Sequence, residues 1–353
     1  MENDFILKIV SAGGMAPSGD NMQPWKTTWD GETLRLYLEK KADTSVYNTD
    51  ECGSYIACGA FIENVRLMAA SLGYAANISF FPNTTTDPFY IANIIFIKNT
   101  PTELETASFI NKRHSNRKKY FKKEIPSELI SIFNLIDPSV KIITDKFLRN
   151  TIFDIASLNE YFILHNNHVR NGLMKTIRWS SNEEEISRTG LFFKTLELNL
   201  GQLFFFRRFT KPFFVKILNF LGFPKILQKS AKNLYSTSSA VGAITIKSMS
   251  PQDLVSAGIV IEKIWLIATE KGLAFQPITG IPYLISAMNK NSKIFSINEQ
   301  KLLKDADFSL RKIFKLPPLD QFGMIFRLGY ANKASAISKR KSIHSFHEFI
   351  NNL

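Results

Sequence analysis

The sequence is poor in cysteine and lacks long apolar runs and glycine-rich nucleotide loops. Its two cysteines are too few for a disulfide framework, so we expect a reducing environment, with Cys58 as an inert thiol inside an apolar helix. No run of about 18 apolar residues occurs, which argues against a membrane-spanning helix. The glycine spacing of Rossmann and Walker loops is missing too. His165 and His168 have the spacing of metal ligands, but no cysteine or nearby carboxylate completes a set, so no metal site is predicted.

Acidic residues are absent from the segment 198–251, which is rich in cations and phenylalanines. Apolar positions at helical spacing with cations between them predict a pair of amphipathic helices over 201–232. Three interpretations of this segment remain open: a lid over a bound cofactor, an interfacial helix on an anionic membrane leaflet, or core helices with snorkelling cations. The cations are Arg207, Arg208, Lys211, Lys216, Lys225, Lys229 and Lys232, and the phenylalanines are Phe204, Phe205, Phe206, Phe209, Phe213, Phe214, Phe220 and Phe223.

The net charge of +13 indicates an anionic partner. A nucleic acid is not expected, because no zinc-finger, RNP or basic-region pattern is present and the positive charge is concentrated in two places. An anionic membrane face or a phosphate-bearing cofactor remains. The opening residues MENDFILK lack the basic start and the cleavage site of a signal peptide. We therefore expect a cytoplasmic protein, peripheral to the inner membrane face if the segment 201–232 binds lipid.

Helical and alternating apolar patterns predict both helices and strands. The predicted elements are a hairpin around Asp30-Gly31, a long helix over 54–72 ending at Gly73, a strand over 90–97, a helix beginning at Pro126, and one or two helices over 146–178.

The stretch PSGDNMQPW, residues 17–25, is the most informative motif. Its small, polar and proline residues predict a rigid polar turn anchored by Trp25, although a capped loop leading into a strand would explain each residue separately. The run resembles the flavin-binding turn of the nitroreductase family, written PS-x-x-N-x-QPW. That resemblance implies that Ser18, Asn21 and Gln23 face FMN.

The basic stretch RHSNRKKY, residues 113–120, is a second motif. In an extended chain Arg113, Ser115 and Arg117 would face one side and present two guanidiniums and a hydroxyl to one anion, whereas a solvated basic connector is the alternative. With the following EIPSEL it resembles the opening RRS-x-R-x-F … P-x-E-L of nitroreductases. The resemblance implies that these three residues hold FMN. Tyr120 stands near the family's aromatic position and not at it.

Two later pieces extend the resemblance. GLAFQPITGIP, residues 272–282, is similar to the family's GL-x-x-x-P-x-x-G segment, which implies that Thr279 and Gly280 lie at the reactive edge of the flavin, with a backbone N–H near N5. FRLGY followed by SKRK, residues 338–341, resembles the closing LGY strand and basic tail. There Lys339 and Arg340 would supply cations to the FMN phosphate, although a short basic run is also typical of a solvated tail.

A weak internal repeat relates the helix from Tyr55 to a second helix from Leu254. One constant offset pairs Gly59 with Gly258 and Glu63 with Glu262, among other positions. Two buried helices can share such residues by chance. The alternative is a nitroreductase-like fold made of two degenerate copies of one α+β unit, packed as a pseudo-dimer in one chain.

The motifs are divided between the two predicted halves, 1–108 and 109–353, the second with a lid-like insert at about 198–251. The first half has the PS-x-x-N turn and the second has the basic motifs, which implies one composite site per chain. This resembles the single-chain tandem branch of the superfamily, which includes the mycobacterial dormancy-associated flavin-binding proteins.

The resemblance implies an FMN-dependent oxidoreductase that passes hydride from NAD(P)H through FMN to a small oxidised acceptor, nitroaromatic or quinone-like. The flavin performs the redox step, so no catalytic side chain is predicted. The alternative is a protein that binds or sequesters FMN with little or no turnover. A third interpretation is a membrane-surface element with a vestigial site. The chain is expected to be a monomer that mimics a dimer, or a weak homodimer.

Overall fold

A mixed α+β architecture is observed. The computed structural model describes residues 2–82, 87 and 89–350. Its strands are β1 (Trp25–Trp29), β2 (Thr33–Leu38), β3 (Tyr74–Phe80), β4 (Tyr90–Lys98), β5 (Val140–Ile143), β6 (Ile177–Arg178), β7 (Leu191–Phe192), β8 (Ala240–Ile246), β9 (Ala274–Pro277), β10 (Gln321–Gly329) and β11 (His347–Phe349). Its α-helices are α1 (Glu2–Gly14), α2 (Cys52–Ser71), α3 (Leu104–Ala107), α4 (Ser127–Ile136), α5 (Lys146–His165), α6 (Asn167–Thr176), α7 (Ser181–Ser187), α8 (Leu200–Arg207), α9 (Pro212–Phe220), α10 (Phe223–Tyr235), α11 (Pro251–Glu270), α12 (Gly280–Lys290) and α13 (Ile297–Phe314).

Two sheets organise the molecule. The first has the order β11-β1-β2-β4-β3, and the second has the order β5-β8-β10-β9. All neighbours are antiparallel except β11, which lies parallel to β1 with His347 opposite Thr27. Because β11 comes from the end of the chain and β1 from its beginning, the C-terminal segment crosses onto the first sheet. That crossing places the tail beside the leading turn.

The helices α2 and α11 pack against each other at the centre of the fold. A Cβ on Gly59 would lie 2.0 Å from the carbonyl oxygen of Val255, and a Cβ on Gly258 would lie 2.0 Å from that of Ile56. Only glycine allows the two backbones to approach this closely. α2 is buried on most of its surface because α1, α11 and the first sheet surround it, which explains its nearly uniform apolar character.

The elements predicted from the sequence are observed with small differences in their bounds. The Asp30-Gly31 turn joins β1 to β2, α2 covers 52–71, and β4 covers 90–98. Pro126 caps α4, and the predicted helical region 146–178 consists of α5 and α6. Cys58 is fully buried as predicted, and burial raises the pKa of its thiol. Among the described residues, no helix is long and apolar enough to cross a membrane.

The segment 198–251 differs from the prediction in two respects. It forms three helices, α8, α9 and α10, where a pair was expected, and it includes β8, which is an inner strand of the second sheet. The part that could act as an insert therefore ends before Ala240. α10 packs along α5. The interpretation as core helices is wrong for much of this segment, because Phe204, Phe213 and Phe220 are exposed.

Candidate functional site

The leading turn has an unusual backbone. Asp20, Asn21 and Gln23 have φ angles of 45°, 58° and 53°, in the left-handed region that disfavours most side chains. The Ser18 hydroxyl accepts a hydrogen bond from the Gln23 N–H at 2.9 Å and closes the turn. Strained backbone of this kind persists only where the surrounding structure fixes it, and it is typical of functional sites.

The turn is held by the C-terminal tail. The Asn21 side chain donates to the Lys339 carbonyl at 2.9 Å and accepts from the Arg340 guanidinium. Gln23 is fully buried, and its side-chain oxygen accepts from the Lys341 N–H at 2.7 Å. Its amide nitrogen donates to the Arg188 carbonyl at 2.7 Å. The leading turn and the basic tail, predicted to form one site, therefore lie in direct contact, and Gln23 binds the tail.

Arg113 and Arg340 meet at the end of the first helix, where both guanidiniums donate to the Met15 carbonyl. Nε of Arg113 lies 2.9 Å from a carboxylate oxygen of Glu262, and its guanidinium stacks over the Trp265 ring at 4.7 Å. Both members of this ion pair are buried. A buried pair holds its arginine firmly, because removing either charge would leave the other uncompensated.

The Arg340 guanidinium needs more negative charge than the protein supplies. Burial lowers the pKa of Arg340 to about 9, and neighbouring Arg113 adds to that shift. Glu262 and Glu184 oppose it without cancelling it. Nε of Arg340 is buried and has no hydrogen-bond partner among the described residues. This corner is therefore suited to a bound anion.

A second group of polar side chains surrounds Arg117, and we call it the polar recess: Asp20, Tyr47, Arg117, Asn159 and Glu160. Each lies deep in the protein and yet keeps part of its surface accessible. Arg117 donates to the Thr195 carbonyl at 3.2 Å, and the Tyr47 hydroxyl donates to Asn159 at 2.7 Å. Hydrogen bonds and charge interactions join these partly accessible side chains into one polar cluster.

Burial raises the pKa of both carboxyl groups of the recess. Burial, with a contribution from Asp43, raises the pKa of Asp20 to about 6, whereas the Thr176 hydrogen bond and Arg117 lower it. Burial likewise raises the pKa of Glu160, although Asn159 and Tyr235 oppose the shift. With a pKa of about 6, Asp20 can take up or release a proton close to neutral pH.

The predicted reactive-edge residues lie beside the recess. The Thr279 hydroxyl donates to the Ile325 carbonyl at 3.1 Å and accepts from the Ile325 N–H at 3.3 Å, so it anchors the start of α12 on β10. Gly280 is the first residue of α12, and a Cβ there would lie 2.2 Å from Oδ1 of Asn159. The first amides of a helix have no acceptor within the helix and carry its positive end.

Four predicted residues have positions or partners that differ from the expectation. Arg113 and Arg117 do not face one point, since in the described part of the chain they share no hydrogen-bond or ion-pair partner. The segment that carries them is irregular and does not pair as a strand, so alternation along it does not fix directions. Ser115 lies between them and is half-buried. The Lys339 ammonium pairs with Glu185, while its backbone N–H donates to Glu184.

No family model matches the chain. A 95-residue region is 37% identical to acg of Mycobacterium tuberculosis, which carries the name of an NAD(P)H nitroreductase; it covers 26% of this chain and 28% of the relative. An uncharacterized protein of the same organism is 23% identical over 96% of this chain and 48% of its own length. The chain is similar to nitroreductase-like proteins. It spans less than half the length of each of these two relatives.

The resemblance inferred from the motifs is confirmed at the level of the nitroreductase-like relatives, including mycobacterial ones. Among solved structures, the FMN-dependent nitroreductase NfnB of Mycobacterium smegmatis, in complex with NADPH, aligns with a TM-score of 0.38. That alignment has 13% identity and covers 68% of this chain and 96% of that chain.

Sequence reasoning missed most of the polar recess. Asp20 belongs to the recognised turn, but Tyr47, Asn159 and Glu160 carry no motif. The positions of Asn159 and Glu160 follow from the packing of α5 against α10 and α12, and that of Tyr47 from the packing of the segment Val46–Glu51 against α12, which local patterns cannot reveal. Tyr235 of α10, next to Glu160 and Arg117, was missed for the same reason.

Proposed function

We propose that this protein is an FMN-dependent oxidoreductase that takes electrons from NAD(P)H and passes them to a small oxidised acceptor, nitroaromatic or quinone-like. The observation that carries the proposal is the contact of the leading turn with Arg340 and Arg113. The Arg340 guanidinium donates to Asn21, and Arg113 donates to the carbonyl of Met15, just before the turn. A flavin-binding turn and an anion-binding corner are the two parts that such a site requires.

The residues present fit FMN. Arg340 has an unpartnered buried nitrogen and an incompletely balanced charge, so it would hold the phosphate end, with Arg113 behind it. Arg117 would face the electron-rich pyrimidine edge of the ring, and the Gly280 N–H at the start of α12 would support N5. When bound, FMN supplies the capacity to accept a hydride and release electrons.

The chain's own contribution is position, charge and proton storage. Asp20, with its pKa of about 6, would hold a proton on its carboxyl oxygen beside Arg117, where reduction of a nitro or quinone oxygen requires one. Burial also raises the pKa of neighbouring Glu160. The Tyr47–Asn159 hydrogen bond fixes the side chain that touches Gly280. These groups extend the sequence-based expectation, which named no proton donor.

We also propose that the chain is a tandem pseudo-dimer with halves 1–108 and 109–353. Four strands of each sheet have the same arrangement. In the order β1-β2-β4-β3 and in the order β5-β8-β10-β9, the strand that comes third along the chain lies at the edge, next to the strand that comes fourth. The central glycines make a reciprocal contact, since Gly59 meets Val255 and Gly258 meets Ile56. Reciprocal contacts are typical of a two-fold arrangement.

A second candidate function is FMN binding without turnover. Asn159 lies against Gly280, where the reactive edge would be, and α10 covers the helix that carries Asn159. A side chain in that position would limit access of an acceptor to the flavin.

The absorbance spectrum of the purified protein tests the proposal. Bound flavin should absorb near ~450 nm, and NAD(P)H under anaerobic conditions should bleach that band. Bleaching supports the oxidoreductase, whereas a stable yellow protein supports sequestration. A colourless protein that binds no added FMN would contradict both.

Site variants locate the cofactor. Arg117→Ala combined with Arg340→Ala should lower FMN affinity by at least about 100-fold, because two charge-assisted contacts are lost. Arg66→Ala is the matched control, because Arg66 pairs with Glu63 and Glu103 away from the turn. Unchanged FMN binding by the folded double variant would overturn the site assignment.

A further inference from the structure

The helix α9 exposes an apolar stripe to solvent. Phe213, Ile217 and Phe220 recur at the spacing of one helix face, and Phe213 and Phe220 are 78% and 90% exposed. The opposite face carries Val215 and Leu218, which are buried. A helix that is apolar on both faces within a folded protein has a second surface to cover.

The stripe continues onto the neighbouring helices. Phe205 of α8 is partly exposed. The centroid of its ring lies 6.1 Å from the ring centroids of Phe214 on α9 and of Phe223 on α10. Further exposed apolar side chains of the same three helices are Leu200, Phe204, Leu221 and Ile226. The exposed apolar surfaces of the three helices are therefore joined, and we call them the α8–α10 patch.

Cations without carboxylate partners accompany the patch. Arg207, Lys211, Lys216, Lys225 and Lys229 are exposed, and none of them forms an ion pair with a described residue. Of the seven cations between 201 and 232, Lys232 is the one that has such a pair there, with Asp154 at 2.8 Å. No acidic residue lies between 198 and 251 to reduce the positive charge.

We propose that the α8–α10 patch docks the protein on an anionic lipid bilayer surface. Phenylalanines inserting at the headgroup boundary and cations contacting anionic headgroups are the two components of interfacial binding. α9 is about 13 Å long at 1.5 Å per residue, so it would lie in the plane of the interface. The proposal is independent of FMN and rests on exposure and charge alone.

Co-sedimentation with vesicles tests the docking. The protein should sediment with phosphatidylcholine vesicles that contain phosphatidylglycerol and should not sediment with vesicles of phosphatidylcholine alone. Raising the salt concentration should release it, because headgroup attraction is screened. No sedimentation with the anionic vesicles, or equal sedimentation with both, would overturn the proposal.

Two variant pairs separate the apolar and the electrostatic parts. Phe213→Ser with Phe220→Ser should weaken binding by at least about tenfold. Phe308→Ser, at a residue that is 70% exposed on α13, should leave it unchanged. Lys211→Gln, Lys216→Gln and Lys225→Gln together should weaken binding about 100-fold, at roughly fivefold per cation.

The control for the lysine triple is Lys301→Gln, Lys304→Gln and Lys312→Gln on α13, which changes the net charge equally. Equal losses in the two triples would mean that overall charge alone drives binding, and would overturn the patch assignment. A lipid-free dimer that Phe213→Ser with Phe220→Ser dissociates would do the same, because the patch would then be an interface between copies of the chain.

Discussion

The two central helices, α2 and α11, occupy equivalent places between equivalent strands and carry different electrostatics. Glu63 on α2 pairs with Arg66 on the same helix. The Arg66 side chain is about one third exposed, and its guanidinium also pairs with Glu103. Glu262, at the matching position of α11, pairs with Arg113 in a buried site below the leading turn. Two helices that pack in a similar way therefore differ in their ion pairs: the pair on α2 reaches the surface, whereas the pair on α11 is buried and would anchor the proposed site.

This difference bears on why one chain would hold one site. The two sets of strands share one order and the two central helices share the glycine contact. These shared features therefore do not explain why a site would form at one place and not at the equivalent one. The basic residues of the second half and the strained turn of the first half meet at the same corner. Under the proposed pseudo-dimer, this corner is where the two halves each contribute one part of the site.

The largest expected effect is at the shared glycine contact. Gly59→Ala places a Cβ 2.0 Å from a backbone carbonyl oxygen of α11, and backbone cannot move aside as a flexible side chain can. We expect a loss of at least about 3 kcal/mol in the free energy of unfolding, measured by urea denaturation.

Gly172→Ala is the control for that experiment. Gly172 also lies in a helix, α6, but its Cβ would meet the nearest atoms at 3.9 Å. Alanine there should be neutral or should stabilise by up to about 1 kcal/mol. Similar results for Gly59→Ala and Gly172→Ala would contradict the close packing of α2 on α11.

The next effect compares the two glutamates directly. Glu262→Gln leaves the buried Arg113 without its carboxylate and should cost about 3 kcal/mol of unfolding free energy. Glu63→Gln should cost about 1 kcal/mol, because Arg66 keeps Glu103 and contact with solvent. Thermal and urea unfolding of the two variants provide the measurement. A larger loss for Glu63→Gln would reverse the comparison.

The sequence allowed much of this comparison to be predicted, because its strongest patterns are local. The constant-offset pairing of Gly59 with Gly258 related the two helices, and the structure shows that they touch at these glycines, since small residues at one helix position permit close approach. The PSGDNMQPW motif predicted a constrained polar turn, and its backbone has three left-handed residues. Both inferences needed only residue types and spacing.

Other parts could not be predicted, because they depend on tertiary packing. The alternation of Arg113 and Arg117 suggested one shared target, but an irregular segment does not keep side chains on alternate faces. The predicted insert included β8 because no acidic residue separates its apolar run, AVGAITI, from the helices before it. Glu160 entered the site only through the packing of α5.

An effect smaller than that of Glu262→Gln concerns Asp20 and Asp30, two carboxylates whose pKa values shift in opposite directions. Burial, with help from Asp43, raises the pKa of Asp20 to about 6, despite the Thr176 hydrogen bond and Arg117. Burial acts in the same sense on Asp30, but backbone N–H groups and Arg35 outweigh it and lower that pKa. Stability that depends on Asp30 is therefore lost as the pH falls, whereas Asp20 has the opposite dependence.

Asp20→Asn isolates the contribution of the recess. Below about pH 4 Asp20 is protonated in both the folded and the unfolded chain, so it costs nothing there. Between about pH 4 and the folded pKa of about 6, the unfolded chain loses its proton first, so the wild type loses stability as the pH rises. Asparagine tolerates the φ of 45° at this position and keeps an acceptor for Thr176.

The free energy of unfolding of the Asp20→Asn variant should therefore rise by about 1–2 kcal/mol relative to the wild type between pH 4 and pH 7, after allowance for partial solvent screening. Urea unfolding across that range measures the difference, and a constant difference would show that the Asp20 carboxyl titrates alike in the folded and unfolded chains.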